Sequence, residues 1–99
     1  MKDQPAPDLW PRMDRTTCTA QAWIEIWNTL SLGGWFHMAD VIDSVNRSHP
    51  ELARKTIDNI IRKARTARLV QRRGGYSRKT KTDTREIRRH PATQESTTP

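Results

Sequence analysis

The sequence predicts an α+β fold, mostly α-helical, in which three helices and a short strand precede a C-terminal β-hairpin. The first observation is that apolar side chains recur every three to four residues over three separate stretches, as on the buried face of a helix. The second is that two runs of β-favouring residues follow, separated by a Gly-Gly pair and a basic segment. A chain of 99 residues has room for one domain with a modest core.

The first helix is predicted within residues 19–34, with Thr17 or Thr19 as its N-terminal cap and Gly33 near its C-terminal end. Residues 34–38 are aromatic and too few for a helix, so they favour a brief strand. The apolar positions of the helix are Ala20, Trp23, Ile24, Trp27 and Leu30.

The second helix is predicted over residues 39–47, with Val41, Ile42 and Val45 on its apolar face. It has to end before Pro50, because the residue that precedes a proline is forced out of the helical region. A short turn is therefore expected between the second and third helices.

The third helix has two possible starts. Residues 48–51 have the pattern of a capping box with a proline in the first turn, which begins the helix near His49. Alternatively, Leu52 fills a turn and the helix begins around Ala53. In either case the pattern continues, and the helix occupies about residues 51–67.

The two faces of this third helix differ in chemistry. One face is aliphatic and consists of Ala53, Ile57, Ile60, Ile61 and Ala64. At about 100° per residue, the opposite face centres on Lys55, Asn59, Arg62 and Thr66. Two strands are then predicted at residues 69–73 and 84–89, joined by a long, mobile basic loop at 74–83.

The predicted domain covers residues 17–90. Residues 1–16 are rich in proline and acidic side chains without a sustained period, which predicts a flexible, extended or disordered arm. Its apolar residues Leu9, Trp10 and Met13 could nevertheless dock on another surface. Residues 91–99 contain no large apolar residue and are predicted to be a disordered tail.

The positive charge is concentrated in the second half of the chain. Residues 1–50 hold four basic and six acidic side chains, a balance of −2, whereas residues 51–99 hold fourteen and five, a balance of +9. Such an excess is self-repulsive unless an anion lies opposite. Nucleic acid is the leading partner on this ground, followed by an anionic membrane or an acidic protein.

The sequence predicts neither an enzyme nor a cofactor or metal site. No nucleophile–base pair and no phosphate-cradling loop can be identified, and Cys18, His37, His49 and His90 lack the spacing of metal ligands. No apolar run is long enough to span a membrane or serve as a signal peptide. A single cysteine suits a reducing compartment, so a cytoplasmic location is expected, on the nucleoid when bound.

The order of elements resembles that of the winged helix-turn-helix family of DNA-binding domains. The likeness is clearest over residues 52–76, where Thr56-Ile57 opens the third helix, Ile60 and Ile61 form a ridge, and Leu69-Val70 begins a strand. Many members of the family have a glycine just before this strand, where the present chain has Arg68. A left-handed conformation at this position would cost arginine about 1 kcal/mol or more.

The resemblance implies that the third helix lies in the DNA major groove, while the hairpin, as a wing at about 69–89, reaches the phosphate backbone or minor groove. Asn59 suits adenine and Arg62 suits guanine, whereas Arg54 and Lys63 suit phosphates. The predicted DNA-binding residues are Arg54, Lys55, Thr56, Asn59, Arg62, Lys63, Arg72, Arg73, Tyr76, Arg78, Lys79 and Lys81.

The expected function is that of a small regulator of transcription or an accessory factor in recombination, and it resembles regulators of phages and mobile elements. The alternative is a winged-helix module that binds a host protein, for which the region around Leu9 and Trp10 would be suited. Structured RNA is a third possible partner. A monomer or a weak homodimer is expected.

Overall fold

The computed structural model describes residues 5–91, which form three α-helices and two small antiparallel sheets. The helices are α1 (Cys18–Leu30), α2 (Met38–Ser48) and α3 (Arg54–Thr66). The strands are β1 (Phe36–His37), β2 (Val70–Arg73), β3 (Tyr76–Ser77), β4 (Thr82–Asp83) and β5 (Glu86–Arg89). The fold is therefore α+β and mostly helical, as the sequence predicts.

The start of α1 is fixed by Thr17, whose side-chain oxygen accepts a hydrogen bond from the backbone N–H of Ala20 at 3.2 Å. Thr17, rather than Thr19, is thus the cap. The rings of Trp23 and Trp27 lie 5.7 Å apart on the buried face of this helix. At the other end, the N–H of Gly33 donates to the carbonyl of Leu30.

The start of α3 agrees with the second predicted alternative, in which Leu52 fills a turn and the helix begins around Ala53. Ser48 is the last residue of α2, so it cannot also cap the next helix, and the prediction of a start near His49 is wrong. The N–H of Leu52 donates to the carbonyl of His49 at 3.0 Å, and its half-buried side chain packs against the core. The helix then begins at Arg54 with Ala53 as its cap.

The three-stranded sheet has the order β1-β5-β2, with Phe36 opposite Ile87 and Val70 opposite Arg89. Ile87 and Val70 point into the core formed by the three helices. Strands β3 and β4 pair separately as a second, outer hairpin. The predicted loop at 74–83 is therefore partly a β-ladder, which the short, polar residues did not indicate.

The turn from α3 to β2 contains Arg68 with φ +62°, in the left-handed region. The N–H of Arg68 donates to the carbonyl of Arg65 at 3.0 Å, and the N–H of Leu69 donates to that of Ala64 at 2.9 Å. This pair of bonds is the Schellman motif, which usually has glycine at the left-handed position.

The N-terminal segment, residues 5–16, differs from the flexible arm that the sequence predicts. Ala6, Leu9 and Met13 are buried in the core cluster, and Leu9 is only 6 % exposed. The indole N–H of Trp23 donates to the carbonyl of Pro7 at 2.8 Å. The segment has irregular backbone, yet it forms part of the domain.

Residues 1–4 and 92–99 lie outside the described part of the chain, and with them most of the predicted tail at 91–99. Within residues 5–91, none of the helices combines the length and the apolar character that crossing a membrane requires.

Candidate functional site

The solvent-facing side of α3 is polar and basic, as the sequence predicts. We call this surface the basic face, and it consists of Lys55, Thr56, Asn59, Arg62 and Lys63. All of these are exposed except the half-buried Thr56. The opposite side of the helix packs Ile57, Ile60, Ile61 and Ala64 into the core. Burial of this aliphatic stripe therefore fixes which side chains reach solvent.

Two arginines of α3 are paired with acids. The Nε of Arg62 lies 3.2 Å from Oδ1 of Asp58, one helical turn earlier, without the alignment of a hydrogen bond. Arg54 donates to Asp43 of α2. Both arginine side chains are more than half exposed. Since exposed ion pairs contribute at most about 1 kcal/mol, either arginine can exchange its partner for another anion at small cost.

A cleft beside the C-terminal half of α3 is lined by three arginines. This arginine cleft, of about 460 Å³, is bounded by Arg62, Arg65, Thr66 and Arg72. Burial and then the nearby charges of Arg65, Arg85 and Arg62 lower the pKa of the Arg72 guanidinium. The charges of Arg65, Arg85 and Arg62 thus repel that of Arg72, and an anion in the cleft would relieve this repulsion.

Arg65 and Thr66 were not among the predicted site residues. Arg65 lies three positions after Arg62, and side chains at this spacing are neighbours on a helix surface. Within the described residues no acidic side chain pairs with Arg65, Lys55 or Lys63. The spacing could therefore have identified Arg65, whereas the approach of Arg72 from β2 depends on the tertiary fold.

Arg85 connects α3 to the outer hairpin. Its side chain is 14 % exposed and donates to Asp58 on α3 at 3.2 Å and twice to Asp83 on β4, at 2.9 Å each. The hydrogen bond from Arg85 is the main cause that lowers the pKa of Asp83. These contacts hold the base of the outer hairpin beside the helix that bears the basic face.

Arg73 on β2 is engaged within the sheet. Its guanidinium carbon lies 4.2 Å from the centre of the Trp35 ring, and its Nε donates to Glu86 at 2.8 Å. Arg88 stacks on the same ring at 4.4 Å. The two arginines that the sequence assigns to this strand therefore differ in surroundings. Arg72 lines the arginine cleft, whereas Arg73 stabilises the sheet by a cation–π contact.

The outer hairpin exposes its cations at the turn between β3 and β4. Arg78, Lys79 and Lys81 are exposed there, and Tyr76 on β3 is 56 % exposed. The described residues contain no acidic partner for these three cations. The tip is consequently a positively charged surface that is open to an anionic partner.

A second cleft lies between the N-terminal segment and the basic face. Its volume is about 590 Å³, and it is lined on one side by Trp10 and Arg12 and on the other by Thr56, Asn59 and Lys63. The sequence left the role of Trp10 open. In the structure its half-buried indole lies against the core, next to the polar face of α3.

One cluster in the described chain combines side chains that can ligate a metal. We call it the thiol cluster, and it consists of Cys18, His49 and Glu51. The S–H of Cys18 donates to the Glu51 carboxylate, and this hydrogen bond raises the pKa of the thiol and lowers that of the carboxylate. The spacing in sequence did not indicate this cluster, because Cys18 and His49 are separated by 31 positions.

Comparison with known proteins identifies no relative of this chain. No protein-family model, no curated protein and no solved structure matches it. Its function therefore has to follow from the chemistry of the surfaces just described.

Proposed function

We propose that this chain is a winged helix-turn-helix protein that binds double-stranded DNA, with α3 in the major groove and the hairpin as the wing. It would act by occupying its site, as a regulator of transcription or an accessory factor in recombination, and without a catalytic step. The observation that carries the proposal is the arginine cleft, where Arg62 and Arg65 of α3 meet Arg72 of the first wing strand. Such a concentration of positive charge suits a phosphate backbone.

The order and size of the elements support this assignment. Three helices are followed by an antiparallel hairpin, and α3 packs only one side into the core. An α-helix with its side chains is about 10–12 Å across, and the DNA major groove is about 12 Å wide. The exposed side of α3 is therefore of the right width to enter the groove.

Base reading is assigned to the middle of the basic face. The amide of Asn59 can donate to and accept from adenine, and the guanidinium of Arg62 can bind guanine through two donors. Arg62 is 67 % exposed, so it can leave Asp58 for a base. Lys55 and Thr56 lie on the same side, at the first turn of the helix.

Phosphate contacts are assigned to the flanking cations. On α3, Arg54 and Lys63 flank the base-reading positions, and the arginine cleft adds Arg65 and Arg72. The tip of the outer hairpin bears Arg78, Lys79 and Lys81 with the phenol of Tyr76. If about six of these groups neutralise phosphates, the logarithm of affinity should fall with the logarithm of salt concentration with a slope of about −5.

A protein-docking role through the N-terminal arm has less support. The apolar residue that would anchor such an arm, Leu9, is buried inside this domain, and Trp10 is half-buried against it. A partner protein would have to pull both residues out of the core before it could bind them.

The decisive experiment is fluorescence anisotropy on duplexes that the wild-type protein enriches from a randomised DNA pool. Asn59→Ala/Arg62→Ala should lower the preference for the enriched sequence by about 30-fold or more, because each of the two base contacts contributes about 1–3 kcal/mol of discrimination. Arg78→Ala/Lys79→Ala should keep that preference and reduce the salt slope by about 2.

The matched control is Asn28→Ala/Arg47→Ala, which removes the same two residue types from exposed positions on α1 and α2. Its affinity and its sequence preference should equal those of the wild type. If no sequence is enriched, or if the helix variant binds like this control, the DNA-reading role of α3 is wrong. Tighter binding to an A-form RNA duplex would instead assign the surface to RNA.

A further inference from the structure

Three potential metal ligands meet where the first turn of α1 packs against the turn that joins α2 to α3. Cys18 is the first residue of α1, and His49 and Glu51 lie in the turn. Their ligand atoms, a sulfur, an imidazole nitrogen and a carboxylate oxygen, all lie within 4.8 Å of one another. No contact proposed for DNA involves any of these residues.

The separations match tetrahedral coordination. With metal–sulfur and metal–nitrogen bonds of about 2.3 and 2.0 Å, a tetrahedral angle places sulfur and nitrogen about 3.5 Å apart. Sγ of Cys18 lies 3.6 Å from Nδ1 of His49. These two ligands could thus hold an ion without any movement of the backbone.

The third ligand needs only a side-chain adjustment. The Glu51 carboxylate now accepts the hydrogen bond of the Cys18 thiol, and an ion between them would require the oxygen to withdraw to about 3.5 Å from the sulfur. Glu51 is exposed, so its side chain can rotate to make this room. The same exposure leaves a path for the ion and a position for a water ligand.

A further carboxylate lies behind the histidine. Oε1 of Glu25 on α1 is 3.6 Å from Nε2 of His49, the ring nitrogen that faces away from Cys18. In metal sites the free nitrogen of a ligating histidine commonly donates to such a carboxylate, which fixes the tautomer and orients the ring. The present separation is too long for a hydrogen bond, but a small rotation of the partly exposed Glu25 side chain would bring it into the position of this orienting group.

We propose that Cys18, His49 and Glu51 bind a divalent transition-metal ion, with a water molecule as the fourth ligand and Glu25 orienting His49. A thiolate together with an imidazole selects Zn²⁺ over Mg²⁺ or Ca²⁺, which prefer oxygen ligands alone. The ion would tie the start of α1 to the turn immediately before α3. It would therefore stabilise the folded chain by mass action and fix the position from which α3 departs.

The test is a titration of the full-length protein with Co²⁺. This ion substitutes for Zn²⁺, and its absorption spectrum depends on its ligands and coordination geometry. The wild type should bind one ion per chain, with a thiolate-to-cobalt charge-transfer band and the intense visible bands of a tetrahedral site, and Zn²⁺ should displace it. Cys18→Ser should abolish the charge-transfer band. Glu25→Gln should weaken binding about 10-fold or more while keeping the same spectrum.

The matched control is His37→Ala, which removes an exposed histidine outside the cluster and should leave the titration unchanged. Zn²⁺ should also raise the melting temperature of the wild type and of this control, but not that of Cys18→Ser or His49→Ala. Circular dichroism establishes that each variant is folded before titration. Absence of the charge-transfer band, or a band that His49→Ala leaves intact, would overturn the proposal whatever the outcome of the DNA experiments.

Discussion

Arg68 has a backbone conformation that glycine adopts at far lower cost. Its φ of +62° lies in the left-handed region, and the hydrogen bonds on either side of it close the C-terminal end of α3. The position cannot relax into ordinary helical geometry, because Leu69 has to turn back onto Ala64 before β2 begins. The chain thus retains a local strain at the junction between helix and strand.

Replacing Arg68 with glycine should therefore stabilise the protein. In Arg68→Gly the steric cost of the left-handed conformation disappears, and part of the gain is offset by the greater freedom of glycine in the unfolded chain. We expect the free energy of unfolding to rise by about 1 kcal/mol, measured by urea denaturation. Arg68→Ala is the control, since it removes the same side chain but keeps Cβ. Equal stability of the two variants would show that the strain is absent.

The position of Gly74, at the junction of β2 and β3, requires a residue without a Cβ atom more strictly than that of its neighbour Gly75. Its φ is +78°, and a Cβ atom there would lie 2.2 Å from the backbone oxygen of Thr84. A Cβ atom on Gly75 would have no other atom within 4 Å. Thr84 in turn bonds to Gly75 through its N–H and its hydroxyl, at 2.9 and 3.1 Å. The outer hairpin therefore depends on a close approach at a single glycine.

Alanine should consequently destabilise the protein at Gly74 and have little effect at Gly75. Gly74→Ala should lower the free energy of unfolding by about 2 kcal/mol, because both the backbone angle and the contact with Thr84 become strained. Gly75→Ala should remain within about 0.5 kcal/mol of the wild type. Thermal denaturation of the pair measures the difference, and equal melting temperatures would contradict this account of the turn.

The elements that could be predicted from sequence are those that depend on residues close to one another along the chain. The aliphatic stripe of α3 and the threonine cap of α1 follow from spacing and from hydrogen-bond chemistry within a few residues. The start of α3 could not be decided in this way, because residues 48–51 satisfy the rules of a capping box as well as those of a turn. Packing of Leu52 against the core, a tertiary contact, favours the turn.

Considered as one body, the molecule brings together residues whose proximity no local pattern reveals. Arg72 reaches the arginine cleft only because β2 runs back along α3, and His49 reaches Cys18 only because the turn before α3 packs on α1. The N-terminal segment is a similar case. Its apolar residues have no period, and the surface that receives them exists only once Trp23 and its neighbours have packed.

This docking should make the N-terminal segment part of the cooperative fold. Leu9→Ala removes a side chain that is 6 % exposed and leaves a cavity beside the core, so we expect the free energy of unfolding to fall by about 2–3 kcal/mol. Leu32→Ala is the matched control, since Leu32 is 80 % exposed and its loss should change the stability by less than about 0.5 kcal/mol. Urea denaturation, monitored by tryptophan fluorescence, measures the free energy of unfolding of both variants. If Leu9→Ala were as stable as Leu32→Ala, the segment would be a free arm after all, and a role for it in binding another protein would become the better explanation of its apolar residues.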